Sequence, residues 1–348
     1  MKKISAMLLA MILVMSVSMT VFGATKGDTD KKVSTSLAYI SAEWENDPTV
    51  DKNLKDFYIF TCTNADMSKY KNGFAESVKT AVSDNTLTAG SAVLAVGALA
   101  NLGYDVTDFN GTNLVDLLKA FGADSFSTPF SLVYGITLAD KLAENELKNV
   151  YAEKLAGYYE IGKGTDFWGG WGTSADDLST LIIGLSFAKA DYEEIIGDAV
   201  KLLETYYTAD GYTNNGANAD STALALGAYS ALGDKEKADN VYDMLIDKFY
   251  DKETGGFKAE YDPYYATSDA VYGISFYRMI ADEDKNTPPA EPTTKPSAKP
   301  ETTTAKAAQQ TADKNTSKKS PATGASITAA GFAFALSAVT VAVSRKRK

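Results

Sequence analysis

The sequence predicts an all-α protein whose folded part is an α/α toroid of about five to six helix pairs, followed by a structureless linker and one C-terminal apolar helix. Three observations predict it. An apolar segment with a central glycine recurs along the chain, amphipathic stretches of helical period alternate with those segments, and Gly-aromatic turns join them. The 348 residues also include a single Cys, Cys62, and no His.

The elements follow in chain order. Residues 1–24 open with Lys2-Lys3, run apolar from Met7 to Val21 and close in Gly23-Ala24, which predicts a secretory signal peptide cut after Gly23 or Ala24. The apolar run is too short for the roughly 20 residues that cross a bilayer. The folded domain is predicted over 25–285. Its five glycine-centred segments are Leu94–Ala98, Leu132–Ile136, Leu181–Leu185, Leu224–Ala228 and Ala270–Ile274, with glycines 38, 49, 43 and 46 residues apart. That period suits a helix pair plus its loops. Each segment is apolar on nearly every face, as a helix enclosed by other helices must be. Val33 to Trp44 reads as a degenerate sixth copy without the glycine. A mid-helix glycine costs about 1 kcal/mol against Ala, so its recurrence predicts close approach of a neighbouring backbone.

The stretches between are Asn113 to Phe121, Glu144 to Tyr159, Asp191 to Tyr206 and Lys235 to Phe249. In the third, Ile195, Ile196, Ala199, Leu202 and Leu203 share one side, so these are outer helices with one wet face. Turns at Phe167-Trp168-Gly169-Gly170-Trp171-Gly172, Asp210-Gly211-Tyr212 and Gly255-Gly256-Phe257 lead to polar caps at Asp177–Thr180, Asp220–Thr222 and Thr267–Asp269. Asp177 and Asp220 each stand seven residues before a glycine and are expected as N-caps, Asp177 with Asp176 favouring the positive helix end.

Residues 286–319 are dominated by Pro, Thr, Ala and Lys and cannot bury enough apolar surface to offset their ordering entropy. They are expected to form an extended spacer. Residues 320–348 carry Ser320-Pro321-Ala322-Thr323-Gly324, an apolar transmembrane segment at 325–343, and the basic tail Arg345-Lys346-Arg347-Lys348. This order resembles the cell-wall sorting signal of Gram-positive surface proteins, where a sortase cuts Leu-Pro-x-Thr-Gly between Thr and Gly. Pro321, Thr323 and Gly324 match, and Ser320 replaces the Leu. The resemblance implies a sortase and cell-wall peptidoglycan as partners, and an extracellular, wall-anchored location. The bland alternative is a membrane tether with its positive tail inside.

The repeat of Gly-aromatic turn, polar cap and apolar helix resembles that of the prenyltransferase and terpenoid cyclase (squalene cyclase) superfamily over about Gly90 to Asp282, and more weakly over Thr35 to Asp84. The resemblance implies the toroid; it does not fix an activity, since one fold hosts many. Prenyltransferases hold zinc with Asp, Cys and His, and a chain without His excludes that chemistry together with every triad or base built on imidazole. The cyclase acid motif Asp-x-Asp-Asp has a partial match in Ser174-Ala175-Asp176-Asp177, with the first Asp missing. Asp176 and Asp177 are therefore the candidate catalytic acids, and no residue is assigned catalysis outright. Thioester chemistry fails because Cys62 lies in Phe60-Thr61-Cys62-Thr63-Asn64. Neither cofactor nor metal site is predicted, and the acidic balance (net −11) argues against nucleic acid.

A binding role needs less machinery. Trp168, Trp171, Tyr212, Asn214, Asn215, Tyr261, Tyr264 and Tyr265, beside Asp176 and Asp220, are expected at one rim of the ring, where aromatic faces, amides and carboxylates would hold a glycan, peptide or small molecule. The plainer role for Trp168 and Trp171 is to fill the gap between helix pairs. Tyr264 and Tyr265, next to Pro263, are expected to be exposed. The function expected is a non-catalytic ligand-binding or adhesion module; the alternative is a surface enzyme, a carboxylate-dependent glycan or peptidoglycan hydrolase or lyase, or a cyclase-like enzyme.

Overall fold

The computed structural model describes residues 23–46, 54–161, 174–213 and 216–284. Residues 1–22, the linker 286–319, the sorting sequence Ser320–Gly324, the apolar segment 325–343, and Trp168, Trp171, Asn214 and Asn215 lie outside them. The chain divides into two units, Met1–Lys285 and Asn286–Lys348.

The described residues are mostly helical. The helices are α1 (Lys26–Asn46), α2 (Leu54–Thr61), α3 (Ser68–Ser83), α4 (Ala89–Asn101), α5 (Leu114–Phe121), α6 (Pro129–Lys141), α7 (Asn145–Ile161), α8 (Ala175–Ser186), α9 (Lys189–Glu204), α10 (Ala219–Leu232), α11 (Lys235–Phe249) and α12 (Pro263–Ile280). One small hairpin, β1 (Tyr207–Thr208) with β2 (Gly211–Tyr212), interrupts them. No helix among the described residues is long and apolar enough to cross a membrane.

Even-numbered helices are enclosed and odd-numbered ones are half wet. In α10 every residue from Ala219 to Ser230 is buried, whereas α11 buries Ala238, Asp239, Val241, Tyr242 and Leu245 at helical spacing. The even helices pack in sequence, α2 on α4, α4 on α6, α6 on α8, α8 on α10 and α10 on α12, and α12 packs on α2. The odd helices back them: α5 lies on α4, α7 on α6, α9 on α8 and α11 on α10, while α1 lies on α12. Helix α3 joins α2 through Phe74, stacked on Phe57 at 4.7 Å. The degenerate copy expected at Val33–Trp44 is thus not an enclosed helix. Helix α1 buries one stripe, Thr29, Val33, Ser36 and Ile40, and the sixth enclosed helix is the short α2, with Asp56–Phe60 buried.

The expected caps are shifted. Ser174 caps α8 through Asp177 N and Asn218 caps α10 through Ser221 N, so Asp177 and Asp220 sit inside the first turn. Helix α12 begins at Pro263 behind the cap Asp262, which puts Thr267–Asp269 in its second turn. The polar residues read as caps have other work. Thr222 Oγ1 accepts from Tyr212 N at 3.0 Å, and Thr267 Oγ1 accepts from Phe257 N at 2.8 Å, so two successive Gly-aromatic turns are pinned to the next enclosed helix in the same way.

The five recurrent glycines split into two groups. A methyl group on Gly273 would collide with the Ala223 carbonyl of α10, and one on Gly227 would stand 3.6 Å from Gly273 Cα, so α10 and α12 touch backbone to backbone. Elsewhere the glycine makes room for a side chain: Tyr58 at 2.5 Å from such a methyl on Gly97, Tyr151 at 2.9 Å for Gly135 and Leu155 at 2.5 Å for Gly184.

Candidate functional site

The first turns of three of the enclosed helices, α2, α8 and α10, carry carboxylates, which the positive helix ends favour. Asp56 is the third residue of α2, Asp176 and Asp177 the second and third of α8, and Asp220 the second of α10. Because α12 starts early, its second turn brings Ser268 and Asp269 to the same place. Lys55 Nζ forms an ion pair with Asp269. Asp56 accepts from Ser268 Oγ at 2.6 Å and from the Tyr264 hydroxyl, and Asp220 Oδ2 accepts from the Tyr261 hydroxyl. The buried Oδ1 of Asp220, a residue only 8% exposed, has no hydrogen-bond partner among the described residues.

These groups share one field. Burial, then the charges of Asp269 and Asp176, push the Asp220 carboxyl up to about 7, with Lys55 partly opposing. Burial also raises Asp177 to about 7; the Ser174 hydroxyl opposes the rise and the Asp176 charge adds to it. Asp176 is raised by burial and by Asp269 against the Ser221 hydroxyl. Asp56 is raised by burial, although Ser268, Tyr264 and Lys55 all favour its charged form. Burial works against the Lys55 ammonium, but Asp269, the Tyr134 phenol and Asp56 more than offset it, so the ammonium is held protonated. The Lys55 and Asp269 side chains still keep 29% and 20% of their surface accessible, so solvent reaches this pair.

Tyrosines continue the cluster. Tyr134 meets Tyr58 edge-on at 5.2 Å and Tyr272 at 5.4 Å, and the Tyr58 hydroxyl pairs with Thr137 Oγ1 at 2.8 Å. Burial raises the Tyr134 phenol to about 12. The Tyr272 hydroxyl, on a residue 4% exposed, has no hydrogen-bond partner among the described residues. Cys62, at the end of α2, is accessible, but burial of its sulfur pushes the thiol up to about 11, so it is a poor nucleophile at neutral pH. Among the described residues no three His, Cys, Asp or Glu side chains converge to hold a metal ion.

Of the residues singled out from sequence, Asp176, Asp220, Tyr261 and Tyr264 come together here, with Asp177 beside Asp176. Tyr265 is exposed next to Tyr264, their rings edge-on at 5.7 Å. Tyr264, expected at the surface, is buried because its hydroxyl reaches Asp56. Tyr212 is buried away from solvent, its hydroxyl donating to Tyr229 at 3.1 Å; its role is packing. Sequence reasoning missed Lys55, Asp56, Tyr134 and Tyr272. A usable signal existed for two of them: the charged pair Lys55-Asp56 opens the apolar run Phe57–Phe60.

No protein-family model matches the chain, and neither a curated protein nor a solved structure matches it.

Proposed function

We propose that the chain is a secreted, wall-anchored surface protein that displays an α/α toroid of the cyclase-like kind as a ligand-binding or adhesion module. The cyclic order of contacts among the six enclosed helices supports the ring, and the leader, spacer and Pro-x-Thr-Gly sequence support the location. The ligand seat is the acid–tyrosine cluster at the first turns of those helices, and the ligand presents a cationic or hydrogen-bond-donating group. One observation carries this: the buried Asp220 oxygen, which has no partner among the described residues, in a cluster with more carboxylates than ammonium groups. An unfilled buried acceptor costs about 1–3 kcal/mol, which a donor on the ligand would recover. Tyr261 and Tyr265 offer exposed aromatic faces at the approach.

Titration of the secreted protein with alkylamines, guanidines, neutral sugars and muropeptides tests the seat. At about pH 8, where Asp220 is charged, a binder is expected whose affinity drops at least about tenfold in Asp220→Asn, the size expected when a charge-assisted bond is lost. Binding untouched by that change, or no binder in any class, would sink the reading. Deleting residues 320–348 should move the protein from the wall fraction to the medium.

A second reading, a surface enzyme, draws on Asp177 and Asp220 both reaching about 7, the range in which a carboxyl serves as a general acid. Turnover of any ligand that is lost in Asp176→Asn would favour it.

A further inference from the structure

Where α1 begins, the chain is held on both sides of one residue. The amide of Ala24 donates to the Tyr277 hydroxyl at 3.1 Å, and Tyr277 donates to Asp239 Oδ1 at 2.5 Å. The carbonyl of Ala24 accepts from Asp282 N at 3.3 Å, and Lys26 N donates to the Asp282 carbonyl at 2.8 Å, making a parallel bridge between Thr25 and Asp282. Gly23 lies directly against Asp239: a methyl group added to it would stand 2.6 Å from the carboxylate carbon. Asp239 is 8% exposed, and its described cation, Lys235, approaches from the same helix at 2.9 and 2.8 Å.

We propose that the chain is cut between Gly23 and Ala24, and that the α-ammonium released on Ala24 is captured by Asp239 and Tyr277 as a built seat for the new N-terminus. The proposal rests on the secreted reading above, and the peptidase is the membrane signal peptidase of the secretion route. Water adds across the Gly23–Ala24 peptide bond, the C–N bond breaks, Gly23 leaves with a carboxylate, and the amine on Ala24 takes up a proton at neutral pH. The amide had one N–H to give and Tyr277 received it. The ammonium has three, and the departure of Gly23 vacates the space beside the Asp239 carboxylate. Val21-Phe22-Gly23 supplies the small residue next to the cut and an aliphatic one two positions earlier, whereas a cut after Ala24 puts Phe22 in the latter position. The later cut would also discard both hydrogen bonds of Ala24.

The experiment is to secrete the full chain from a Gram-positive host, read the N-terminal peptide by mass spectrometry, and compare melting before and after selective acetylation of the α-amine in wild type, Asp239→Asn and Tyr277→Phe. The expected N-terminus is Ala24. Acetylation is expected to lower the wild-type Tm by about 2–4 °C, and to change Asp239→Asn much less. An N-terminus at Thr25, an unchanged wild-type Tm, or an equal drop in both proteins would overturn the seat. If Asp239→Asn does not fold, a drop in Tyr277→Phe as large as in wild type overturns it instead. A wall-bound chain that keeps residues 1–23 would overturn the signal peptide itself, a distinguishable result.

Discussion

The joint between α10 and α12 and the joints around α4, α6 and α8 are written in the same sequence pattern and built differently. At α10 and α12 the glycines let two backbones touch, Gly273 against the Ala223 carbonyl. At Gly97, Gly135 and Gly184 the missing methyl is the seat of a tyrosine ring or a leucine. A repeated glycine therefore marks an enclosed helix without saying what encloses it. The distinction has consequences, because a side chain can swing aside and a backbone carbonyl cannot.

The largest effect is expected at Gly273→Ala, which drives a methyl into a helix backbone; a loss of more than about 3 kcal/mol by denaturant unfolding is predicted. Gly97→Ala displaces only the Tyr58 ring, with its hydroxyl bond to Thr137, and is expected to cost about 2 kcal/mol. Equal costs at the two sites would erase the contrast. Asp220→Asn tests the acid cluster between these helices. With its folded pKa near 7, above its ordinary value of about 3.9, Asp220 holds a proton in the folded state that the unfolded state has lost between about pH 4 and 7. Its contribution to stability therefore falls as pH rises through that window. The variant should match wild type near pH 4 and exceed it above pH 7, by about 1 kcal/mol after allowance for solvent screening. A gain that is largest at low pH would refute the buried-acid account. The smallest effect is at Gly157→Ala on α7, where nothing lies within 4 Å of the added methyl. Helix propensity alone should then stabilise the protein by about 0.5–1 kcal/mol.

The helices from α4 onward were legible because burial imposes a period, all-round apolar segments and one-sided stripes each having one solution, whereas α2 and α3 were not expected as helices of their own. Asp176, Asp220 and Tyr261 were legible as candidates because they sit beside Gly-aromatic turns, and the fold brings them together. The caps were misplaced by three residues at α8 and by two at α10, where Ser174 and Asn218 compete with neighbouring acids for the same role. At α12 the error was larger, because Asp262-Pro263 starts the helix a full turn early. Lys55, Asp56, Tyr134 and Tyr272 stayed hidden for another reason. Their meaning depends on α2 facing α6 and α12, a neighbourhood no local pattern encodes, and tyrosine in an apolar segment reads as packing until its hydroxyl is found among carboxylates.

The contact of α2 with α12 joins two enclosed helices that lie far apart in the described chain. Lys55 and Asp269 are 214 residues apart, and Asp56 and Ser268 are 212 apart, whereas the other neighbouring enclosed helices follow one another within a repeat. Closing this joint carries the loop entropy of nearly the whole domain, so it belongs to the slow, non-local stage of folding, after the local helix pairs. Its bonds are an ion pair and hydrogen bonds to a carboxylate, so the rate of that last step should respond to salt and acid more than the formation of the pairs does. The cluster proposed as a ligand seat is also the joint between the two enclosed helices farthest apart in sequence.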